Sequence, residues 1–204
     1  MTRSFLLNSY FRLLEQYGKQ GWWPVNYQFL PRKWEVCIGA VLTQHTSWTN
    51  VERVLLKIFQ SGCISVYDMT LLSEKKLQKL ILGSGFFKQK ALCLHSLSNL
   101  ILSFGSFSRF RKKITREELL RVKGIGYETA DCILLYACDK PYFVIDQYTK
   151  RLCRKLGVVK KDYEDYRLFF EKQLPRDIAL YKEFHALIVR AGKEQFKELF
   201  DQKL

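Results

Sequence analysis

No proline interrupts the chain between Pro31 and Pro141, and across that stretch apolar residues return every three or four positions. Trp34, Ile38, Val41 and Leu42 form one stripe. Val51, Val54, Leu55, Ile58 and Phe59 form a second, and Leu94, Leu97, Leu100 and Ile101 a third. A proline inside a helix removes a hydrogen bond and clashes with the preceding turn. A long proline-free run with this spacing therefore points to packed amphipathic helices. Helices are expected at about 3–17, 33–45, 48–60, 65–70, 74–82, 88–104, 116–122, 127–138, 147–156, 162–172 and 177–198. Thr115-Arg116-Glu117-Glu118 has the form of a capping box. Sustained period-two alternation is missing. Tyr142-Phe143-Val144-Ile145 is a strand candidate too short and too isolated to make a sheet. The expected class is all-α.

Composition narrows the function. With 48% hydrophobic residues over 204, a sizeable core can be buried and general disorder is excluded. No apolar run reaches the length of a membrane span, and the N-terminus has the spacing of a helix rather than of a signal peptide. The net charge of +14 favours a polyanionic partner, chiefly nucleic acid or anionic membrane. Six cysteines, Cys37, Cys63, Cys93, Cys132, Cys138 and Cys153, are irregularly spaced without a CxxC pair. They read as buried thiols of a cytoplasmic protein rather than zinc ligands or disulfides. A domain boundary is expected at Asp139-Lys140-Pro141, and another in the loop at 18–32, which carries Gly21-Trp22-Trp23-Pro24.

The most informative segment is Leu119-Leu120-Arg121-Val122-Lys123-Gly124-Ile125-Gly126-Tyr127-Glu128-Thr129-Ala130. Glycines in a tight turn permit positive φ and close backbone approach. The N–H groups opening the next helix, near Tyr127, can then face an anion such as a DNA phosphate. This stretch resembles the helix-hairpin-helix of the endonuclease III superfamily of DNA glycosylases, with Lys123 where proline is usual. Other segments match in order. They are Ala40-Val41-Leu42-Thr43-Gln44, Ser84-Gly85-Phe86-Phe87-Lys88-Gln89-Lys90-Ala91, Phe143-Val144-Ile145-Asp146 and Phe184-His185-Ala186-Leu187-Ile188-Val189-Arg190-Ala191-Gly192-Lys193.

The resemblance implies a two-lobed all-α fold with the active site in an inter-lobe cleft. One lobe is a helical barrel at 30–137, with the helix-hairpin-helix at about 115–138. The other combines 1–29 with 138–204 and carries the catalytic Asp segment. Asp146 is the implied catalytic residue, since a carboxylate beside a breaking N-glycosidic bond stabilises the oxocarbenium-like transition state. An ordinary N-cap aspartate would look the same in sequence. Members that also cut the backbone carry a lysine where this chain has Glu128, and a carboxylate cannot form a Schiff base. The expected product is therefore an abasic site in an intact strand. No cysteine follows Cys153, so the superfamily's iron–sulfur cluster is expected to be absent. Lys193 stands near its first ligand position as a candidate tail anchor.

The base pocket is expected from Trp22, Trp23, Pro24 and Trp48. A flipped base must stack to offset an unstacking cost of about a few kcal/mol. A cationic alkylated purine gains about 0.5–2 kcal/mol more over a tryptophan face. Together with the missing lysine and cluster, this resembles the 3-methyladenine DNA glycosylase III family. DNA contacts are expected at Gln44, at Phe86 or Phe87, and at Lys123, Gly124, Ile125, Gly126 and Tyr127. Gln44 and one of the phenylalanines are candidates to fill the hole left by the flipped nucleotide. His45 and His185 read as lone histidines without a metal trio. By resemblance, main-chain carbonyls of Leu120, Val122 and Ile125 could hold a sodium or potassium ion. No other cofactor is expected. The expected partner is double-stranded DNA carrying a damaged base, met by a monomer away from membranes. Open alternatives are a glycosylase for another damaged or mismatched base and a non-catalytic helix-hairpin-helix DNA-binding protein.

Overall fold

The computed structural model describes residues 5–23, 25 and 29–196. In chain order the α-helices are α1 (Phe5–Tyr17), α2 (Trp34–Leu42), α3 (Trp48–Gln60), α4 (Val66–Leu71), α5 (Glu74–Ile81), α6 (Phe87–Ser103), α7 (Phe107–Lys113), α8 (Arg116–Leu120), α9 (Tyr127–Cys132), α10 (Gln147–Lys155), α11 (Tyr163–Gln173) and α12 (Ile178–Lys193). A short 3-10 turn, Leu82–Ser84, links α5 to α6, and α9 runs on into a π turn, Ile133–Ala137. Among the described residues the β pairing is one isolated bridge between Leu30 and Ser65. No single described helix is long and apolar enough to cross a membrane.

The chain divides into two compact units, Val25–Asp139 and Met1–Pro24 with Lys140–Leu204. In the first, every residue of α2 is buried, as its unbroken apolar sequence WEVCIGAVL requires. The stripe of α3 buries Val51, Val54, Leu55 and Ile58 against it. Capping fixes the helix starts. Ser65 with Asp68 and Thr115 with Glu118 form complete capping boxes, and Ser73 and Ser106 each accept an N–H of the first turn. The six cysteines are free thiols and all are buried.

Helix α7 is absent from the sequence expectation. Its residues, FSRFRKK, are mostly basic and bury Phe110, so no apolar stripe announces them. The N-cap Ser106 is the one local signal for it. Three expected helices also end two or more residues early, among them α8, which stops at Leu120 rather than 122. Residues 43–45 turn away after Leu42, and α12 stops at Lys193.

In the second unit, the strand candidate is an extended segment held by side chains instead of a sheet. Phe143 N–H donates to Glu171 Oε1 at 2.9 Å and Ile145 N–H to Tyr163 Oη at 3.3 Å. Phe143 stacks on Phe170, centroids 4.4 Å apart, and meets Tyr181 and Phe184 edge-on. Phe143, Val144 and Ile145 are fully buried, which anchors the chain just before Asp146. Helices α10 and α12 approach closely at Gly192, where an added Cβ would sit 2.4 Å from the Tyr148 ring. A glycine is required there.

Candidate active site

Asp146 caps α10, its Oδ1 accepting the Thr149 N–H at 2.7 Å. Asp162 and Asp177 cap α11 and α12 in the same way, so capping does not distinguish it. Its surroundings do. Oδ2 faces His185 Nε2 of α12 at 3.6 Å, within ion-pair reach when the imidazole is protonated. The Trp22 ring lies beside His185, tilted 55° at a centroid distance of 6.0 Å, and Trp23 adjoins Trp22 at 5.7 Å. The tryptophan loop is tied to α12 by Gln20 N–H donating to Glu183.

Burial pushes the Asp146 carboxyl up. The neighbouring His185 and the hydrogen bonds from Thr149 outweigh this and leave it below the usual aspartate value. The group is therefore ionised at neutral pH. Its side chain retains 13% exposure. An anionic, nearly desolvated carboxylate stabilises a developing positive charge far more strongly than one in water.

The structure thus brings Asp146, Trp22 and Trp23 together through a residue that looks isolated in the sequence. His185 is not a lone histidine; it is the neighbour of Asp146. Pro24 lies outside the described residues. Trp48 opens α3 in the other unit, half-buried.

The hairpin in Val25–Asp139 is assembled from main-chain groups. Val122 N–H donates to Leu119 O and Ile125 N–H to Val122 O, both at 3.0 Å. Gly124 takes φ +95°, and a Cβ there would meet Cys93 Cβ at 3.1 Å. Only glycine satisfies both constraints. Gly126 caps α9 at φ −93°, ψ 179°, with open space where a Cβ would be, so of the two glycines it is Gly124 that uses positive φ. Lys123, Gly124, Gly126 and Tyr127 are exposed, whereas the Ile125 side chain is 5% exposed and packs inward. Only the backbone of Ile125 can serve a ligand. Arg116 of α8 grips Asp131 of α9 with two hydrogen bonds, 2.6 and 3.0 Å, both side chains buried. Its guanidinium also covers the Tyr127 ring at 5.0 Å. Glu128 is exposed in the first turn of α9.

Gln44 is committed to this hairpin. Its Nε2 donates to Gly124 O and to Thr129 Oγ1, both at 2.9 Å. Both amide hydrogens are used inside the protein, so the hole-filling expectation for Gln44 is left with the carbonyl alone. Phe86 has the better geometry for a wedge. It is 63% exposed at the start of α6, left-handed at φ 44°, with its ring 5.7 Å from that of His45, itself at φ 53°. Phe87 is half-buried. Lys193 is exposed as the last residue of α12, and much of the tail it was expected to anchor lies outside the described residues. Among the described residues no group of three His, Cys, Asp or Glu could hold a metal ion.

Residues 38–176 match the family described as HhH-GPD superfamily base excision DNA repair protein. The chain belongs to this superfamily and is a DNA glycosylase of base excision repair, as the hairpin and aspartate segments suggested. A Methanocaldococcus jannaschii protein provisionally named a DNA repair glycosylase is 42% identical over 190 residues, covering 89% of this chain and 84% of the relative. Endonuclease III of Thermotoga maritima is 30% identical over 149 residues, 70% of this chain and 66% of its own. H. pylori 3-methyladenine DNA glycosylase bound to 1,N6-ethenoadenine superposes with a TM-score of 0.79 at 32% identity, covering 94% of this chain and 96% of that one. A trapped endonuclease III–DNA covalent intermediate, TM-score 0.73 at 17% identity, shares the fold.

Proposed function

We propose that this glycosylase removes alkylated, cationic purines such as 3-methyladenine by hydrolysis, leaving an abasic site in an uncut strand. The observation that carries this reading is the grouping of an ionised Asp146 with aromatic rings: Trp22 beside His185, and Trp23 beside Trp22. When the C1′–N bond breaks, its electron pair leaves with the base, which becomes neutral. The positive charge passes to the sugar, where the Asp146 carboxylate stabilises it. Water adds at C1′ and releases a proton, which Asp146 can accept. A base that is already cationic needs no acid on the leaving group, which suits a site built around one carboxylate.

His185 fits as the partner that keeps Asp146 ionised. Trp22 and Trp23 fit as stacking faces, where a cation gains over a neutral base. Glu128 in the position of the lyase lysine supports hydrolysis over Schiff-base chemistry. The relative holding 1,N6-ethenoadenine supports an adenine adduct as the substrate class. Lys123, Gly126 and Tyr127, exposed at the hairpin, are the proposed phosphate contacts. A sodium or potassium ion is proposed at the same turn. Val122 O already accepts one hydrogen bond and keeps a second lone pair, alongside the carbonyls of Leu120 and Ile125, to supply hard oxygen donors.

The test is incubation with methylated double-stranded DNA, then chromatography of the released bases. Release of 3-methyladenine, with strands that break only on alkaline treatment and no adduct trapped by borohydride, is expected. Failure to release any methylated base overturns the substrate. Borohydride trapping at the rate of base release overturns the hydrolytic mechanism.

A further inference from the structure

Lys90 is buried, at 2% exposure, and base excision at Asp146 makes no use of it. Its ammonium donates to Leu42 O at 2.8 Å and to Ser84 O at 2.6 Å. Leu42 is the last residue of α2, where the carbonyls of a helix end lack intrahelical partners and attract a cation. Ser84 closes the 3-10 turn before α6 and is itself fully buried, its hydroxyl donating to Ile81 O at 2.7 Å. Burial lowers the Lys90 pKa to about 8, the mark of a cation held mainly by uncharged oxygens.

Each of these two carbonyls stands just before an exposed aromatic residue. Leu42 lies three residues before His45, and Ser84 two residues before Phe86. The His45 and Phe86 rings meet at 5.7 Å, and both residues hold left-handed backbones, at φ 53° and 44°. Left-handed backbone in residues with a Cβ is strained and persists only where the surroundings over-determine it. Lys90 supplies that constraint from both sides, since its own backbone N–H also donates to Phe86 O at 3.1 Å. One side chain therefore fastens the end of the α2 turn to the start of the α6 turn.

We propose that Lys90 is the positioning residue that holds the His45–Phe86 pair in register to probe the duplex beside the damaged nucleotide. This rests on the reading of the chain as a DNA glycosylase whose Phe86 turn meets DNA. The experiment uses the full chain and a duplex carrying a tetrahydrofuran abasic analogue with 2-aminopurine in the opposite strand. Binding affinity and 2-aminopurine fluorescence are measured for wild type, Phe86→Ala, Lys90→Met and the double variant. Wild type should raise the fluorescence on binding. Each single variant should lose most of that rise and about tenfold in affinity, the equivalent of one good hydrogen-bonded contact. The double variant should bind no worse than Phe86→Ala, because residues acting through one element are not additive.

An undiminished effect of Lys90→Met in the Phe86→Ala background overturns the proposal and leaves Lys90 a general support of the fold. Should Lys90→Met fail to fold, Lys90→Gln, which keeps a shorter donor, is taken through the same cycle and judged by the same coupling. A wild-type chain that does not bind this duplex overturns the functional reading as well. Tight wild-type binding with an additive cycle overturns the proposal alone.

Discussion

The hairpin of Leu119–Ala130 and the segment Phe143–Asp146 are both short links leading into a helix, yet their working parts are made differently. The hairpin presents main-chain groups around Gly124 and Gly126, and its side chains serve mainly to lock the two helices, with Arg116 clamped on Asp131. The aspartate segment hides its main chain under aromatic packing and presents one side chain, whose neighbours His185 and Trp22 arrive from α12 and from the loop after α1. A grip on a repeating phosphate backbone needs no side-chain identity beyond glycine. Charge stabilisation at one carbon needs a carboxylate tuned by particular neighbours. The contrast predicts that damage to the two regions produces different deficits.

The largest effect is expected at the aspartate. Asp146→Asn keeps a cap acceptor for Thr149 but removes the charge. Single-turnover excision should fall about a hundred- to ten-thousand-fold. A rate within threefold of wild type would place the chemistry elsewhere.

Damage to the hairpin clamp should appear first as stability. Arg116→Met leaves the carboxylate of Asp131, with no exposed side-chain surface, without its bidentate partner. Urea unfolding should show a loss of about 3–5 kcal/mol, the usual consequence of removing one partner of a buried ion pair. A loss below about 1 kcal/mol would mean that the clamp does not organise the hairpin.

These differences also decide what can be read from the sequence. The hairpin is legible because glycine spacing and the Thr115 capping box are local signals, although Gly124 alone of the two glycines takes positive φ. Asp146 is legible as the end of a matched segment. Its partner is not, because His185 is brought to it by packing between α10 and α12, which depends on Gly192 and Tyr148 rather than on any local pattern. In sequence His185 lacks metal-ligand companions and so looks idle, whereas the fold sets it 3.6 Å from a single carboxylate. Lys90 falls inside a matched segment without a visible role, since sequence does not distinguish a buried lysine from a solvated one. Helix α7 escapes because its basic residues mask the single buried Phe110.

A smaller effect separates the regions by pH. The folded-state pKa of Asp146 lies below its unfolded value, so its ionised form favours the folded chain. That contribution is complete above the ordinary aspartate range near about 4 and disappears as pH falls through the folded-state value. The stability difference between wild type and Asp146→Asn should shift against wild type on acidification below about 4. Urea titrations across that range test this, and a difference that moves in favour of wild type with acid would contradict it.

The division of labour itself is tested by binding to one duplex bearing an uncleavable abasic analogue. Gly126→Leu is the hairpin variant of choice, because a Cβ there meets nothing within 4 Å and φ is −93°, so the fold should tolerate it. If the hairpin makes the proposed phosphate contact, the new side chain displaces charge-assisted hydrogen bonds worth about 1.5–3 kcal/mol, a tenfold or greater loss of affinity. Asp146→Asn should bind this duplex within threefold of wild type despite its failure in excision. Weak binding by Gly126→Leu beside near-normal binding by Asp146→Asn is the expected result. Wild-type affinity in a folded Gly126→Leu, or a large loss in Asp146→Asn, would contradict it.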